Sequence, residues 1–541
     1  MARLALLAIL MCWMSWSKGL GAGDPADLSP TMALAIFLGG YALLLLGMRA
    51  WGYWACRRAI EGSSGALFRF HQAMNIVRLM VPAWLGIGIY CLNWGSIVQS
   101  IVPWFYRWPS LAMHLECPQV ILGTLPAMLT WVGLWWSQYP AERLLREQSV
   151  LVNLNDDLPV HASPSFWDTI GAYFRLQVLF TLLPVFLILL LRDLTVISLA
   201  LANVRDAKGI ENWVMVPATV AVFLFAPELL RRALRTERLA DSPLRRRLEA
   251  MCRDAKLGYR EILLWRTDHS MGNAAVMGLF PRVRYVLLSD LLLETMTDQQ
   301  IEAVFAHELG HVVHRHLWWF GLFAIIAMLF MIGPGDQLML HARYWYVELH
   351  HHSVDSWERI EGLIGSILFF GSFVLAFGFL SPRFERQADV YAARTMQKDS
   401  GNTAQVEAIT AKPNVEVVGG GGVASAGLLA YQPASYVGEY GAGVFAAALY
   451  RVAVINNMPV SARNWSHGSI SQRMRALHEM SADPARTGRF DRMMTRLYAG
   501  LVAVLCVFGA WAFIQSRTSA SASQSTGIQI SVPTRSVAPG R

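Results

Sequence analysis

Long apolar runs decide what this chain can become. A helix needs about 20 predominantly apolar residues to cross a bilayer. Five stretches meet that need with few charges: Thr31–Met48, Leu79–Val102, Val120–Trp136, Leu363–Leu380 and Leu497–Ile514. Three more are shorter. Leu176–Leu191 runs into Arg192 and Asp193, Trp213–Ala226 stops at Pro227, and Leu317–Ile332 stops at Gly333-Pro334. None of the three has a polar face, so each is also read as a span. Pro126, Pro184 and Pro217 lie inside spans, which a bundle tolerates because neighbours satisfy the freed backbone groups. Only 16% of the 541 residues are charged and 54% are hydrophobic; soluble domains carry about 25% charged residues. A disordered chain is thereby excluded, and the composition argues against an ordinary cytosolic enzyme. The cysteines Cys12, Cys56, Cys91, Cys117, Cys252 and Cys506 contain no CxxC pair, which argues against a disulfide scaffold or a thiolate zinc site. The expected architecture is predominantly α: a polytopic transmembrane helix bundle of seven to nine spans.

Charge orients the bundle. Loops after alternate spans are basic, with Arg49, Arg57, Arg58, Arg69 and Arg78 in one and Arg231, Arg232, Arg235, Arg238, Arg245, Arg246 and Arg247 in another. Basic loops mark the cytoplasmic side. The chain is therefore expected in a membrane such as the bacterial inner membrane, with its polar domain facing the cytoplasm. The arginine-rich stretch and the net charge of +8 are read as facing anionic lipid headgroups; no nucleic-acid partner is expected. Residues 1–22 are expected to be a signal peptide or short anchor. The transmembrane region is placed at 31–230, the first part of the polar domain at 231–316, two spans with an outer loop at 317–380, and the second part at 381–495. A Gly-rich insertion, 399–442, is read as a flexible loop over the site, a last span as 497–514, and 515–541 as a disordered tail.

Within the polar part, residues 237–257 read as a helix capped by Asp241 or Ser242, and 260–267 and 283–289 read as strands. Thr297 or Asp298 caps a further helix with an apolar stripe of Ile301, Val304, Phe305 and Leu309. That helix carries His307-Glu308-Leu309-Gly310-His311, an HExxH motif. Residues four apart share a helix face, so both imidazoles can meet one zinc ion. Glu308 lies on the flank, where a carboxylate can act as general base on a zinc-activated water.

Such a zinc needs a third protein ligand. After Leu363–Leu380 the chain reads Ser381-Pro382-Arg383-Phe384-Glu385-Arg386-Gln387-Ala388-Asp389. Glu385 and Asp389 share a helix face. Glu385 is assigned as the ligand, and Asp389 as the carboxylate that fixes a ligating histidine. His314 shares the face of His307 but is read, with Arg315 and His316, as an interfacial residue. His341, His350, His351 and His352 are expected in an outer loop.

With these motifs the sequence resembles the membrane zinc peptidases that include the CAAX prenyl-protein proteases and the bacterial heat-shock membrane protease, which are gluzincins. Asn273–Phe280 and Leu287–Asp290 resemble the family's edge strand and the strand after it. Ile301–His311 resembles the metal helix, Glu385–Ala392 the third-ligand helix, and Ser466–Leu477 a late segment. The resemblance covers 228–395 and 443–480 and implies an α+β gluzincin-like zinc peptidase domain with one zinc per chain. It also implies that Asn273 binds substrate backbone and that His467 and Arg473 reach a substrate carbonyl or the transition state. The chain departs from the family at Gly468, where a proline is usual, at Pro382, where an arginine is common, in the insertion, and in the last span.

The sequence thus points to an integral-membrane zinc metalloendopeptidase whose partners are protein or peptide substrates associated with the lipid bilayer. Rival readings are a sensor-transducer whose zinc site cuts a regulator, a site-2-type intramembrane protease, and a metal transporter. Asp298, Gln299, Gln300 and Glu302 on the HExxH helix weigh against placing that helix in lipid.

Overall fold

The computed structural model describes residues 2–17, 28–63, 65–105, 114–155, 164–204, 207–351, 353–410, 436–456, 458–462 and 467–525. Seven of its helices are long and apolar enough to cross a membrane: Pro30–Ile60, Gly65–Cys91, Glu116–Glu147, Phe166–Leu201, Lys208–Ala233, His316–Leu349 and Pro484–Trp511. Large apolar side chains such as Leu43, Leu129, Val216 and Phe223 point outward from them, as a lipid-facing surface requires. The chain is a multi-pass membrane protein.

Several element bounds differ from expectation, each for a local reason. The stretch Leu79–Val102 is not one span. Gly65–Cys91 ends before Asn93, whose φ of +57° breaks the chain from the short helix Trp94–Ile101; asparagine tolerates that left-handed conformation better than most residues. Pro227 and Gly333-Pro334 do not end their helices. The first lies inside Ala207–Ala233, and the second is absorbed by a π-helical turn at Met331–Gly335. The apolar N-terminus forms the helix Ala2–Ser17, with Leu6, Ile9 and Trp13 buried in the same core as Phe37, Phe70 and Trp131.

The helix Val354–Thr410 is continuous for 57 residues. It contains residues 363–380, which were expected to span but are not among the seven helices named above, then Glu385 and Asp389, and it occupies the first part of the expected insertion. Residues 411–435, with the glycine run 419–422, lie outside the described residues, as do 18–27, 352, 466 and 526–541. The last helix extends to Ser525, into the expected tail.

The polar domain is built on a four-stranded sheet of order β1-β2-β4-β3. Its strands are β1 (Thr236–Arg238), β2 (Glu261–Trp265), β3 (Ala274–Met277) and β4 (Tyr285–Ser289). β4 is buried at every position and pairs parallel to β2 and antiparallel to β3. β3 forms an edge. The segment read as one helix over 237–257 starts as β1; its helix is Pro243–Asp254, with Ser242 Oγ accepting from Arg245 N. Val286 and Leu288 of β4 meet Phe305, Leu309, Phe384, Ala392 and Phe445 in one core.

Two glycines permit close helix crossings there. Gly310 packs on Ala388, and Gly441 of the helix Glu439–Ile455 packs on Ala393. A Cβ at Gly441 would lie 2.0 Å from the Ala393 carbonyl oxygen, whereas one at Gly443 meets nothing within 4 Å. Gly441→Ala is therefore expected to destabilise the protein by about 1–3 kcal/mol through overpacking. Gly443→Ala should be neutral or stabilising by up to about 1 kcal/mol through helix propensity. Unfolding of both variants in detergent checks the contrast; equal stabilities would refute the crossing.

Candidate metal centre

The helix Asp298–Val313 begins with a reciprocal cap. Thr297 Oγ1 accepts from Gln300 N, and Gln300 Oε1 accepts from Thr297 N. Arg247 pairs with Asp298 and Glu302 on the polar side of this helix, while Ile301, Phe305 and Leu309 face the core. The helix register thus aims His307 and His311 at the helix Val354–Thr410.

There the donors converge. His307 Nε2 and His311 Nε2 are 3.2 Å apart, and each lies 3.6 Å from an oxygen of Glu385. The ligand atoms of these three residues all fall within 4.8 Å of one another, and among the described residues this is the group able to hold a metal ion. Tetrahedral Zn²⁺ with bonds of about 2.0–2.1 Å separates its ligand atoms by roughly 3.4 Å. The spacing and the N/N/O chemistry fit such an ion.

Charged neighbours hold the donors in place. Asp389 Oδ1 lies 3.0 Å from His307 Nδ1. Arg473, on the helix Ile470–Ala482, donates from Nε to Asp389 Oδ2 at 2.9 Å and from Nη2 to Oδ1 at 2.5 Å. Its Nη1 stands 3.6 Å from Glu385 Oε2, and His467 Nδ1 stands 2.8 Å from Glu385 Oε1. Burial opposes ionisation of Glu385 and Asp389, yet their partners win. His307 and His467 hold Glu385 well below the usual carboxylate range, and Arg473 with His307 lowers Asp389. Among the described residues Glu308 has no such partner in contact, and burial raises it to about 7 against the pull of His307.

Glu308 and the three donors line a cavity of about 870 Å³. Asn273, Ala275 and Met277 supply one wall, His467 and Arg473 another, and Arg78, Leu176 and Phe180 of the membrane helices a third. A second cavity of about 520 Å³ also borders Glu308 and His311, beside Gly278 and Leu279. β3 therefore borders both cavities. Asn273 pairs its main chain with Ser289, Asn273 N donating to Ser289 Oγ and Ser289 N donating to Asn273 O.

All the site residues expected from sequence are brought together. Arg473 differs in its occupation, because its fork is engaged by Asp389. His316 was expected at the lipid interface and is instead 2% exposed, with Nδ1 2.9 Å from His311 Nδ1. His316 Nε2 lies 2.9 Å from Gln387 Oε1, to which the Tyr498 hydroxyl donates at 2.5 Å. Sequence reasoning missed this chain because Arg315, at φ +56°, interrupts the helix and with it the four-residue spacing rule. His314 caps the metal helix and stacks against His316. His341 and His350 bond backbone carbonyls of their own segment.

Residues 238–481 match Peptidase family M48. A curated relative, the CAAX prenyl protease 1 homolog of Arabidopsis thaliana, is 27% identical over 167 residues, which cover 29% of this chain and 37% of that protein. The chain thus matches little more than a third of that relative's length. A crystal structure of S. mikatae Ste24p aligns over 84% of this chain and all of its own, at 15% identity and a TM-score of 0.42.

In the domain that carries this match the Arg473–Asp389 pair should matter for folding. Removing one partner of a buried pair leaves an uncompensated charge, at about 3–5 kcal/mol. Arg473→Met is expected to lose stability of that order, and Arg473→Lys to recover only part, since an ammonium cannot reproduce the two-pronged contact. Denaturation in detergent reads both; an Arg473→Met variant as stable as wild type contradicts the assignment.

Proposed function

We propose that the chain is a zinc-dependent endopeptidase of the membrane, cutting peptide bonds in membrane-associated proteins on the cytoplasmic side. The observation that carries this reading is the convergence of His307, His311 and Glu385 beside Glu308, in a cavity with walls from both the M48 domain and the membrane helices. A relative named as a CAAX prenyl protease homolog agrees with such a substrate class. The basic loops between alternate spans support the cytoplasmic side.

His307, His311 and Glu385 would hold the ion, which supplies Lewis acidity and lowers the pKa of a water molecule to about 7. Glu308 then takes the proton of the attacking water and returns it to the leaving amine. As an edge strand, β3 offers backbone groups to an extended substrate, with the Asn273 side chain at its start. His467 has Nδ1 committed to Glu385, leaving Nε2 to face a carbonyl oxygen as negative charge develops. Arg473 acts mainly by holding Asp389 and Glu385. The membrane wall of the cavity favours segments that emerge from lipid.

Purified protein should hold one zinc per chain, lose peptide cleavage on chelation and regain it with zinc. Glu308→Gln should keep the zinc while losing cleavage by at least ~10²–10⁴-fold. Wild-type rates from that variant would refute the reading, and in cells it should retain uncut substrates.

A further inference from the structure

The two ligand histidines are backed differently. His307 faces the carboxylate of Asp389, which Arg473 neutralises. His311 faces a neutral ring, His316, followed by Gln387 and Tyr498. This difference orders protons, provided that the zinc reading above holds.

His311 directs Nε2 toward His307 and Glu385. A neutral imidazole that gives its Nε2 lone pair to a cation carries its proton on Nδ1. At 2.9 Å from His316 Nδ1, that proton has one acceptor, so His316 Nδ1 must be unprotonated. His316 then carries its own proton on Nε2 and donates to Gln387 Oε1 at 2.9 Å. The same oxygen accepts from the Tyr498 hydroxyl at 2.5 Å. Both donors require the carbonyl end of Gln387, so the orientation of its amide follows as well. Each link admits one direction once His311 binds through Nε2.

Packing makes the series rigid. The ring of His316 lies parallel to Phe384, 2° between planes and 4.5 Å between centroids. Tyr498 stacks on Trp319 at 4.3 Å. Phe384 directly precedes the ligand Glu385 in sequence, and Tyr498 sits on the last helix, Pro484–Ser525. The series therefore joins the metal helix, the start of the span His316–Leu349, the ligand helix and the last helix at one point.

We propose that His316 is a positioning residue which, backed by Gln387 and Tyr498, fixes the proton and ring orientation of His311 and so makes metal affinity depend on the docking of the last membrane helix. Outer partners of metal-ligating histidines set affinity by about 10–100-fold.

The test is zinc affinity of the full-length protein in detergent, by competition with a chelator of known strength, alongside zinc content per chain. His316→Phe keeps a ring against Phe384 and removes the acceptor; it is expected to weaken zinc binding by about 10–100-fold. His316→Asn places an amide oxygen near the position of Nδ1 and should restore much of the loss, which a purely space-filling role for His316 would not predict. Tyr498→Phe keeps the stack on Trp319 and should weaken zinc in the same direction by less. Wild-type affinity in His316→Phe overturns the proposal, as does a His316→Asn variant no better than His316→Phe. If His316→Phe does not fold, wild-type affinity in Tyr498→Phe overturns the series on its own. One zinc per wild-type chain with affinity unmoved by these variants sinks this inference alone; a wild-type chain that takes up no zinc sinks it together with the function proposed above.

Discussion

The metal helix and the ligand helix pass each other where Gly310 meets Ala388. A Cβ on Gly310 would sit 3.0 Å from Ala388 Cα and 3.2 Å from Tyr391 Cβ, so the two backbones pass close together. That approach sets the reach of Glu385. Glutamate is long enough to place its carboxylate between two imidazoles only if its backbone is held this close. Phe305, Leu309, Phe384 and Ala392 fill the crossing on both sides, and close-packed interiors resist the slippage that would separate the ligands. Gly441 repeats the device one helix further out, against Ala393.

Around that crossing, charge is arranged in pairs rather than singly. Two buried carboxylates, Glu385 and Asp389, share one guanidinium, and each also faces a ligand histidine. Buried charges survive only when paired or bound to metal. Arg473 answers Asp389 with two contacts and Glu385 with one longer one, and His307 and His467 also face Glu385. Glu308 is the exception, since among the described residues no arginine pairs with it. Burial thus raises Glu308 while partners hold Glu385 and Asp389 low, which is the division the proposed function draws on.

Much of the site was readable because it obeys one rule, that residues four apart share a helix face. His307 with His311, and Glu385 with Asp389, are both such pairs, and Thr297 with Gln300 marks where the first helix begins. β2 and β4 were readable from their β-branched and apolar content. What escaped depended on geometry between elements. His316 reaches the site across the break at Arg315. β1 has three residues and is held by its pairing with β2. The helix ends were misplaced because apolar content reports the width of the bilayer, whereas the helices run on into polar sequence, as Pro30–Ile60 does through Arg57 and Arg58. Asn93 hid its break inside an apolar run.

The ligand helix has a mechanical consequence. From the middle of its apolar stretch to Glu385 is about 13 residues, or roughly 20 Å of rod at 1.5 Å per residue. A lean of ten degrees about that midpoint would sweep the carboxylate by roughly 3 Å, many times the ~0.2 Å tolerance of a metal bond. Helices lean to match the thickness of the lipid around them. Pro382 removes one rung of the ladder just before Glu385, so the stiffness of that single turn decides how far a lean of the apolar stretch would be carried to the Glu385 carboxylate. Metal occupancy measured across lipids of graded chain length would calibrate this lever.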